Sequence, residues 1–459
     1  MNRRDFLVKS TLAGSAVLTS NSIASKPTFV RNVKPKSVII IGAGFAGLAA
    51  AMKLKSEGIK VTLLEARKRI GGRVFSNQPS NGNGQVIELG AEWVGNSHER
   101  VITLCNEFGL KLDNNQFETD LTLGGKYSQA GKWSFSPDMQ KFWDNKVTIW
   151  ESMSEEQRKK LDKTDWWRFL SQQGVSSNDL LLRDLMDATD FGESIRHTSA
   201  YAAFAEYAES SEKNEMDLKI KGGNATLAEK MAENIGKENI LIDHTVQIVK
   251  QMGSNGVSIT CSNGKTFNAD KVICAIPTFS LLKIDWQPGL PNLMKDALHE
   301  LQYARIGKFP VVFSEKFWKR DDFDMLTDTP AHYFYHGTKN QSGKTGVLMC
   351  YATGDKADVL ASVNKSQRLD IILDALKPAF GNVSKYITED LMYYWGQDAY
   401  SSGAYAFYGK GQWFEVMPIL KEPFENVYFA GEHLADWQGF MEGAINSGEE
   451  AADIIVGNQ

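Results

Sequence analysis

The first strong apolar pattern in the chain is a run of four β-branched residues at positions 38–41, followed directly by glycine. An uninterrupted apolar run of this length is typical of a strand buried on both faces of a parallel sheet. A helix is predicted over residues 45–56, and a second apolar run over residues 61–64 predicts another strand. The pattern therefore predicts a strand, a tight turn, a helix and a second strand.

The predicted turn carries Gly42, Gly44 and Gly47 in the spacing G-x-G-x-x-G. The first glycine allows the turn, the second lets the backbone approach a pyrophosphate, and the third lets the helix pack closely on the strand. Phosphate would bind the free amides at the helix N-terminus, where the macrodipole favours anions. Glu65 follows the second strand, at the distance where an acidic residue accepts hydrogen bonds from an adenosine ribose. The stretch therefore predicts a dinucleotide-binding unit.

Later patterns predict further elements of both kinds. Residues 100–108 and 227–235 are expected to be helical, and the region 138–208 is mostly helical and rich in tryptophan. An Asn-Gly pair at 263–264 predicts a hairpin turn between two strands. Apolar runs within residues 271–277, 308–313, 346–352 and 426–430 predict strands.

Length and charge limit the class of protein. At 459 residues the chain exceeds what one core usually organises, so two domains are expected. The formal net charge is -5 and the isoelectric point is about 5.9, which provide no basic surface for nucleic acid. The four cysteines are widely scattered without a C-x-x-C pair, so neither a disulfide framework nor a metal site is predicted.

The N-terminal residues resemble a targeting segment. Residues 2–9 are similar to a twin-arginine export signal, and a short, weakly apolar region and a small-residue site follow. The apolar region is too short to span a bilayer, so stable membrane insertion is not expected. We interpret residues 1–25 as a signal peptide and expect a periplasmic or secreted bacterial protein; a basic tail without a targeting role is the alternative.

A run of charged residues and glycines narrows the choice of cofactors that the chain could bind. Glu65-Ala66-Arg67 leads into Gly71-Gly72-Arg73, and the stretch 88–95 reads Glu-Leu-Gly-Ala-Glu-Trp-Val-Gly. Glycines permit close backbone passage beside a diphosphate, and Arg67 and Arg73 can offer guanidinium groups to phosphate. With these motifs the chain resembles the flavin-containing amine oxidases, which include monoamine oxidases, polyamine oxidases and many L-amino-acid oxidases.

This resemblance implies an α/β fold in which an FAD-binding, Rossmann-like domain of the glutathione-reductase type is interleaved with an α+β substrate domain. The FAD-binding domain would comprise residues 34–95, 217–287 and 396–459. The substrate-binding, or cap, domain would comprise residues 96–216 and 288–395.

The resemblance also implies a set of cofactor-binding residues. FAD would be bound without a covalent bond, because the cysteine to which some relatives attach their flavin falls at Ala404. The residues expected to contact FAD are Gly42, Gly44, Phe45, Ala46, Gly47, Glu65, Ala66, Arg67, Gly72, Arg73, Gly90, Ala91, Glu92, Trp93, Val246, Gly431, Glu432, Phe440 and Met441.

The resemblance implies four residues near the part of the flavin where the reaction takes place. Lys308 matches the lysine that holds a water against the reactive flavin nitrogen in this family, and Trp395 opens a segment that faces the flavin. Tyr405 and Phe440 match the aromatic pair that encloses the amine in monoamine oxidases. The implied reaction is oxidation of a carbon–nitrogen bond, with oxygen or another acceptor taking the electrons.

The nature of the substrate stays open at this point. Well-known L-amino-acid oxidases have an arginine soon after the segment that matches 90–94, and none precedes Arg100 here. Amines are therefore favoured, although Arg196 or Arg305 could reach the site, so amino-acid oxidation is the alternative. Two more remote alternatives are a flavin-dependent desaturase and a relative of this family without catalytic activity. A homodimer is compatible with the sequence.

Overall fold

A computed structural model describes residues 34–209 and 217–457. The predicted export signal at 1–25 lies outside these residues. Among the helices of the described part, none has the length and apolar character that crossing a bilayer requires.

The predicted first strand lies in the middle of a five-stranded parallel sheet. Ser37–Ile41 pairs with Lys60–Leu64 on one side and with Lys271–Cys274 on the other. The outer strands are Ile240–Leu241 and Val427–Phe429. All three parts of the chain that were predicted to bind FAD contribute strands to this sheet, although their bounds as a domain stay a prediction.

Side chains of the first strand alternate between two layers. Val38 and Ile40 pack into one apolar cluster with helices, whereas Ile39 and Ile41 pack into another with a second sheet. The helices of the first layer are Phe45–Ser56, Glu99–Glu107, Ala225–Ile235 and Met441–Val456. The second sheet has four strands, in the order Thr266–Ala269, Val257–Cys261, Val246–Gln251 and Asp285–Gln287, and includes the predicted hairpin.

An eight-stranded sheet forms the core of the other half of the molecule. Its central strands, Ile306–Phe313 and Gly346–Thr353, are antiparallel and buried along their whole length. The remaining strands are Glu118–Leu123, Lys126–Ser128, Phe323–Thr327, Tyr333–His336, Ile387–Asp390 and Tyr393–Tyr394. Helices Gly354–Ser362 and Lys365–Phe380 contribute to the same part of the molecule.

Alternation along Ile306–Phe313 decides which residues face the interior of the molecule. Phe309, Val311 and Phe313 belong to the apolar cluster that includes residues of these two helices. Ile306 and Val312 belong to a different cluster, with Tyr351 and Trp395. Lys308 has the same parity as Ile306, so its side chain emerges on that second face.

The tryptophan-rich region is helical, as predicted. Its helices are Pro137–Asp144, Lys146–Ser152, Glu155–Leu161, Trp166–Gln172, Ser177–Phe191 and Ala200–Glu209. Trp150 and Trp166 are core residues that pack against Phe204. The other short elements are Ser76–Asn77, Ile87–Glu88, Leu112–Asn114, Leu218–Ile220, Thr278–Leu281, Asn292–Glu300, Gln302–Tyr303, Ala406–Phe407, Gln412–Glu415 and Met417–Lys421.

Candidate active site

The turn after the first strand depends on two glycines that have no room for a side chain. Gly42 has a φ of +100°, and a Cβ there would lie 2.8 Å from the carbonyl oxygen of Ala275. A Cβ on Gly47 would lie 2.0 Å from the carbonyl oxygen of Gly42. Gly47 therefore brings the helix against the turn, and unlike the other predicted cofactor residues it does not line the cavity described below.

Gly44 differs, because it faces open space. A Cβ on Gly44 would meet no atom closer than the Cα of Gly72, at 4.0 Å. The helix that starts at Phe45 has neither a side-chain cap nor an acidic residue in its first turn. Its positive end is therefore available to an anion between two stretches of bare backbone, which is the environment that a diphosphate requires.

Glu65 is held at the edge of this turn. Its Oε2 accepts a hydrogen bond from the amide of Ala43 at 2.8 Å, and its Oε1 accepts one from the amide of Arg67 at 2.8 Å. The residue is only 3% exposed, yet its carboxylate lines the cavity. Each oxygen retains a second lone pair, so the carboxylate can also accept hydrogen bonds from ribose hydroxyl groups.

The two predicted phosphate-binding arginines already have acidic partners. Arg67 forms a salt bridge with Asp398 and donates to Ser401 Oγ at 2.9 Å, while Arg73 donates to Glu432 at 2.6 Å. Burial would raise the pKa of Asp398, but Arg67 and neighbouring donors hold it below its ordinary value. Both arginines thus fasten the C-terminal segment to the nucleotide turn, and their contact with phosphate stays a prediction.

One large cavity, of about 770 Å³, connects the turn to the interior of the molecule. This volume lies in the upper part of the range for small-molecule and cofactor sites. Together with the Gly44 opening and the Glu65 carboxylate, it fits an extended dinucleotide such as FAD. The predicted residues that line it are Gly42, Gly44, Phe45, Ala46, Glu65, Ala66, Arg67, Gly72, Arg73, Gly90, Ala91, Glu92, Trp93, Val246, Lys308, Trp395, Tyr405, Gly431, Glu432, Phe440 and Met441.

Lys308 lies at the inner end of this cavity and is 2% exposed. Its Nζ donates to the carbonyl oxygen of Glu88, to Glu92 Oε2 and to the hydroxyl of Tyr335, each at 3.0 Å. An ammonium group has three protons, and here all three have protein acceptors. A water held by Lys308, as the family resemblance implies, would have to replace one of these partners.

Glu92 joins two lysines. Its other oxygen accepts from Lys219 Nζ at 2.9 Å, so the carboxylate lies between Lys219 and Lys308. Burial lowers the pKa of Lys308, and Glu92 opposes that effect. Burial alone would raise the pKa of Glu92, but the two lysines bring it below its ordinary value. Sequence reasoning missed Lys219, because nothing in the sequence places its ammonium group beside Glu92.

Aromatic side chains wall the inner end. Tyr405 donates to the carbonyl oxygen of Thr189 at 3.0 Å, and a Cβ on Gly439, next to Phe440, would lie 2.8 Å from Tyr405 Cδ2. The indole of Trp395 is fixed by a hydrogen bond of 2.8 Å to the carbonyl oxygen of Leu89. The structure therefore brings Tyr405, Phe440 and Trp395 to the same cavity as Lys308.

Several lining residues were not predicted. Tyr351 lies on the strand that pairs with the strand of Lys308, opposite Lys308 itself. Asp324 lies between two apolar residues of the buried strand Phe323–Thr327, and a charged residue in such a strand is a signal that could have been noticed. The other unpredicted residues at this end include Trp143, Thr189, Asp190, Tyr207 and Tyr333.

Neither of the two arginines considered for a substrate carboxylate lines the cavity. Arg196 stacks on Trp167, with its guanidinium carbon 3.3 Å from the ring centroid. Arg305 forms ion pairs with Glu193, Asp355 and Asp358.

Cysteines and metals play no visible part at this site. All four cysteines are buried free thiols, and none lines the cavity. Among residues 34–209 and 217–457, no cluster of His, Cys, Asp and Glu is suited to hold a metal ion.

The comparison with known families agrees with this geometry. Residues 45–456 match the sequence profile of the family described as "Flavin containing amine oxidoreductase". The chain therefore belongs to this family: it is an oxidoreductase, and its cofactor is FAD. That FAD is bound without a covalent link stays a prediction, which rests on Ala404.

Individual relatives cover nearly the whole chain. It is 25% identical over 460 residues to amine oxidase [flavin-containing] B of Homo sapiens, covering 91% of this chain and 86% of the relative. It is 28% identical over 459 residues to an amine oxidase [flavin-containing] of Oncorhynchus mykiss, covering 91% and 85%.

Two solved structures have the same fold. Wild-type putrescine oxidase bound to putrescine superposes with a TM-score of 0.81 at 24% identity, covering 92% of this chain and 99% of the other. Cyclohexylamine oxidase from Brevibacterium oxydans gives a TM-score of 0.81 at 22% identity, with the same coverage. These similarities confirm the predicted α/β fold.

Proposed function

We propose that this protein is an FAD-dependent oxidase of amines. When bound, FAD accepts a hydride equivalent from the carbon next to the amine nitrogen, so that water can hydrolyse the resulting imine and oxygen can take the electrons to give hydrogen peroxide. The observation that carries the proposal is the inner end of the cavity, where the predicted aromatic pair and Lys308 line one space.

The side chains of this end orient the substrate and exclude water. Tyr405, Phe440 and Tyr351 supply ring faces and edges that an uncharged alkyl amine can contact. Tyr405 and Tyr351 both donate to the carbonyl oxygen of Thr189, at 3.0 and 3.3 Å, which fixes their rings. A rigid, apolar wall of this kind holds the reacting carbon in place and removes solvent from it.

The two arginines that line the cavity are engaged in ion pairs, which favours amines over α-amino acids as substrates. A carboxylate substrate would need a guanidinium group with free donors directed at it. Arg67 and Arg73 line the cavity but are engaged with Asp398 and Glu432, and both lie with the predicted nucleotide-binding residues. Among the described residues, no arginine lines the inner end, so the guanidinium contact that a carboxylate substrate would need is missing there.

Positive charge at the inner end would assist electron transfer to oxygen. Lys308 supplies an ammonium group that lines the cavity, and the buried carboxylates of Glu92 and Glu88 both interact electrostatically with it. A fixed positive charge beside a site where negative charge develops lowers the barrier to that step.

An anaerobic substrate panel tests the proposal. We expect primary alkyl amines to bleach the visible absorbance of the bound flavin, and readmitted oxygen to restore it with one hydrogen peroxide per amine. L-Amino acids with the same side chains serve as matched competitors and should leave the flavin oxidised. Bleaching by amino acids but not by amines would establish the alternative activity, and bleaching by neither would overturn both.

A further inference from the structure

The inner end of the large cavity adjoins a second cavity of about 450 Å³. The two cavities have six lining residues in common: Trp143, Thr189, Asp190, Tyr207, Asp324 and Tyr333. We call these six residues the junction. Two of them are carboxylates and three are aromatic, so the composition of the junction differs from that of the wall formed by Tyr405 and Phe440.

Asp324 carries the unusual feature of the junction. The residue is only 7% exposed, and its Oδ2 accepts a hydrogen bond of 2.5 Å from the hydroxyl of Tyr333. Its Oδ1 is buried and makes no hydrogen bond among the described residues, although the side chain of Thr119 acts on the carboxylate as a weak donor that lowers its pKa. A buried carboxylate oxygen without a partner is costly, so it indicates that a ligand supplies the missing contact.

Asp190 is the second carboxylate of the junction. Its Oδ2 accepts from the hydroxyl of Tyr207 at 2.6 Å. The residue is exposed and lines both cavities, so its carboxylate is accessible to a ligand. Both acids of the junction thus have a tyrosine hydroxyl as their hydrogen-bond donor.

A lysine and two arginines near the junction have other partners. Lys146, which lines the large cavity, donates to the carbonyl oxygen of Trp143 at 3.4 Å. Arg183 lines the second cavity and is within electrostatic reach of Asp190, but it forms its ion pair with Asp187 and stacks on Trp143. Arg320 interacts electrostatically with Asp324 but forms its ion pair with Asp120, at 2.9 Å. In the part of the chain that the structure describes, no lysine, arginine or histidine forms a salt bridge with Asp324 or Asp190.

Aromatic rings connect the junction with the reacting end. The ring centroids of Trp93 and Tyr351 are 6.4 Å apart, and those of Tyr351 and Tyr333 are 6.3 Å apart. Lys308 Nζ lies 5.6 Å from the Trp93 ring centroid. A chain-like substrate could therefore extend along this wall, from the positive side near Lys308 to the negative side near Asp324.

We propose that the junction is a subsite for a second cationic group of the substrate, and that the preferred substrates are α,ω-diamines rather than monoamines. This inference rests on the proposed function. The reacting amine binds uncharged between Tyr405 and Phe440, and the distal ammonium binds Asp324 Oδ1 and Asp190, with the rings of Trp143, Tyr207 and Tyr333 around it. Carboxylates and aromatic faces both favour an organic ammonium ion.

The first experiment compares α,ω-diamines with n-alkylamines of equal chain length as substrates of the flavin-loaded protein. For the wild type we expect kcat/KM to be at least about tenfold higher for the best diamine than for the matching monoamine, and Asp324→Asn to reduce that ratio by about tenfold or more. Asp190→Asn should reduce it as well. Asp322→Asn is the matched control, because that side chain lines neither cavity and should keep the wild-type ratio.

A second experiment does not depend on turnover. Hexamethonium, a bis-quaternary alkane that cannot be oxidised at nitrogen, should bind the flavin-loaded protein in a calorimetric titration, because one of its cationic groups can occupy the junction. Asp324→Asn should weaken that binding by at least about tenfold, whereas Asp322→Asn should leave it unchanged.

The two proposals fail in different ways. If amines reduce the flavin but the diamine ratio and hexamethonium binding are the same in wild type and both aspartate variants, the subsite is overturned and the oxidase function stands. If hexamethonium binds through Asp324 but no amine reduces the flavin, the junction is a cation site and the proposed function is overturned.

Discussion

The two ends of the large cavity differ in the atoms that form their walls: main-chain atoms at one end and side-chain atoms at the other. At the nucleotide end the walls are backbone and glycine, and the key carboxylate, Glu65, is held by two main-chain amides. At the inner end the walls are long side chains, and the key ammonium group, Lys308, is held by a carboxylate, a hydroxyl and a carbonyl. A backbone wall recognises the constant part of a cofactor, whereas side chains can be exchanged to suit a substrate.

Each end should therefore respond differently to substitution. Changes at the nucleotide end should affect folding or cofactor retention, and changes at the inner end should affect reaction rates and ionisation. Four predictions test this division, and they are given in order of decreasing expected change in free energy.

Gly47→Val should strongly destabilise the folded protein, because it disrupts the packing at the nucleotide end. The new Cβ would lie 2.0 Å from the carbonyl oxygen of Gly42, and neither backbone segment can move away cheaply. We expect a loss of more than about 4 kcal/mol in the free energy of unfolding, seen as little soluble protein and a lower urea midpoint. Gly289→Ala is the control, since the nearest atom to its Cβ is the mobile Lys295 Nζ at 3.7 Å. A normal midpoint for Gly47→Val would contradict the packing role.

The inner end should show a pH-dependent stability that Asp324→Asn removes. Burial raises the pKa of Asp324 from 3.8 to about 6, although the hydrogen bond from Tyr333 opposes this. Between these values the folded protein binds more protons than the unfolded chain, so this contribution is full below pH 3.8 and is lost as the pH rises through 6.

The wild-type stability relative to Asp324→Asn should therefore fall with rising pH, by at most about 3 kcal/mol. Urea unfolding of both proteins at several pH values across this window measures the difference. A difference that is constant with pH would show that folding does not raise the pKa of Asp324.

Glu65→Ala should weaken FAD binding without unfolding the domain. A carboxylate that accepts hydrogen bonds from ribose contributes about 1.5–3 kcal/mol, so we expect roughly a 10–100-fold loss of affinity. Flavin retained through a desalting column gives the readout, and Glu57→Ala, on the exposed end of the same unit, is the matched control. Full retention by Glu65→Ala would refute the role in the nucleotide site.

Lys308→Met should retain FAD but slow flavin reduction or reoxidation by more than about tenfold, or over about 1.4 kcal/mol in barrier height. Stopped-flow absorbance separates the two half-reactions. Lys219→Met sharpens the test, because Lys219 contacts the same carboxylate but does not line the cavity. A smaller effect for Lys219→Met supports a direct role for Lys308. Equal effects would show that both lysines act only by holding Glu92, and wild-type rates in Lys308→Met would exclude any role.

The nucleotide end could be predicted almost completely from the sequence. The first helix, predicted over 45–56, is observed at Phe45–Ser56, and Glu65 directly follows the strand Lys60–Leu64. These elements are consecutive, so spacing alone brings their residues together. The inner end was predicted from a family resemblance, which found Lys308 and Tyr405 but not their partners Lys219 and Thr189.

The sequence by itself therefore determined the parallel sheet, the glycine turn and the class of cofactor, because these depend on local spacing and on the period of apolar residues. Only the tertiary structure decided which charges meet. Lys308 and Glu92 are 216 positions apart, and Arg67 and Asp398 are 331 apart. Periodicity tells which face of a strand a side chain occupies, but the element that covers that face is chosen by packing of the whole chain. The junction of Asp324 and Asp190 arises in the same way, from a strand and a helix that no pattern in the sequence places together.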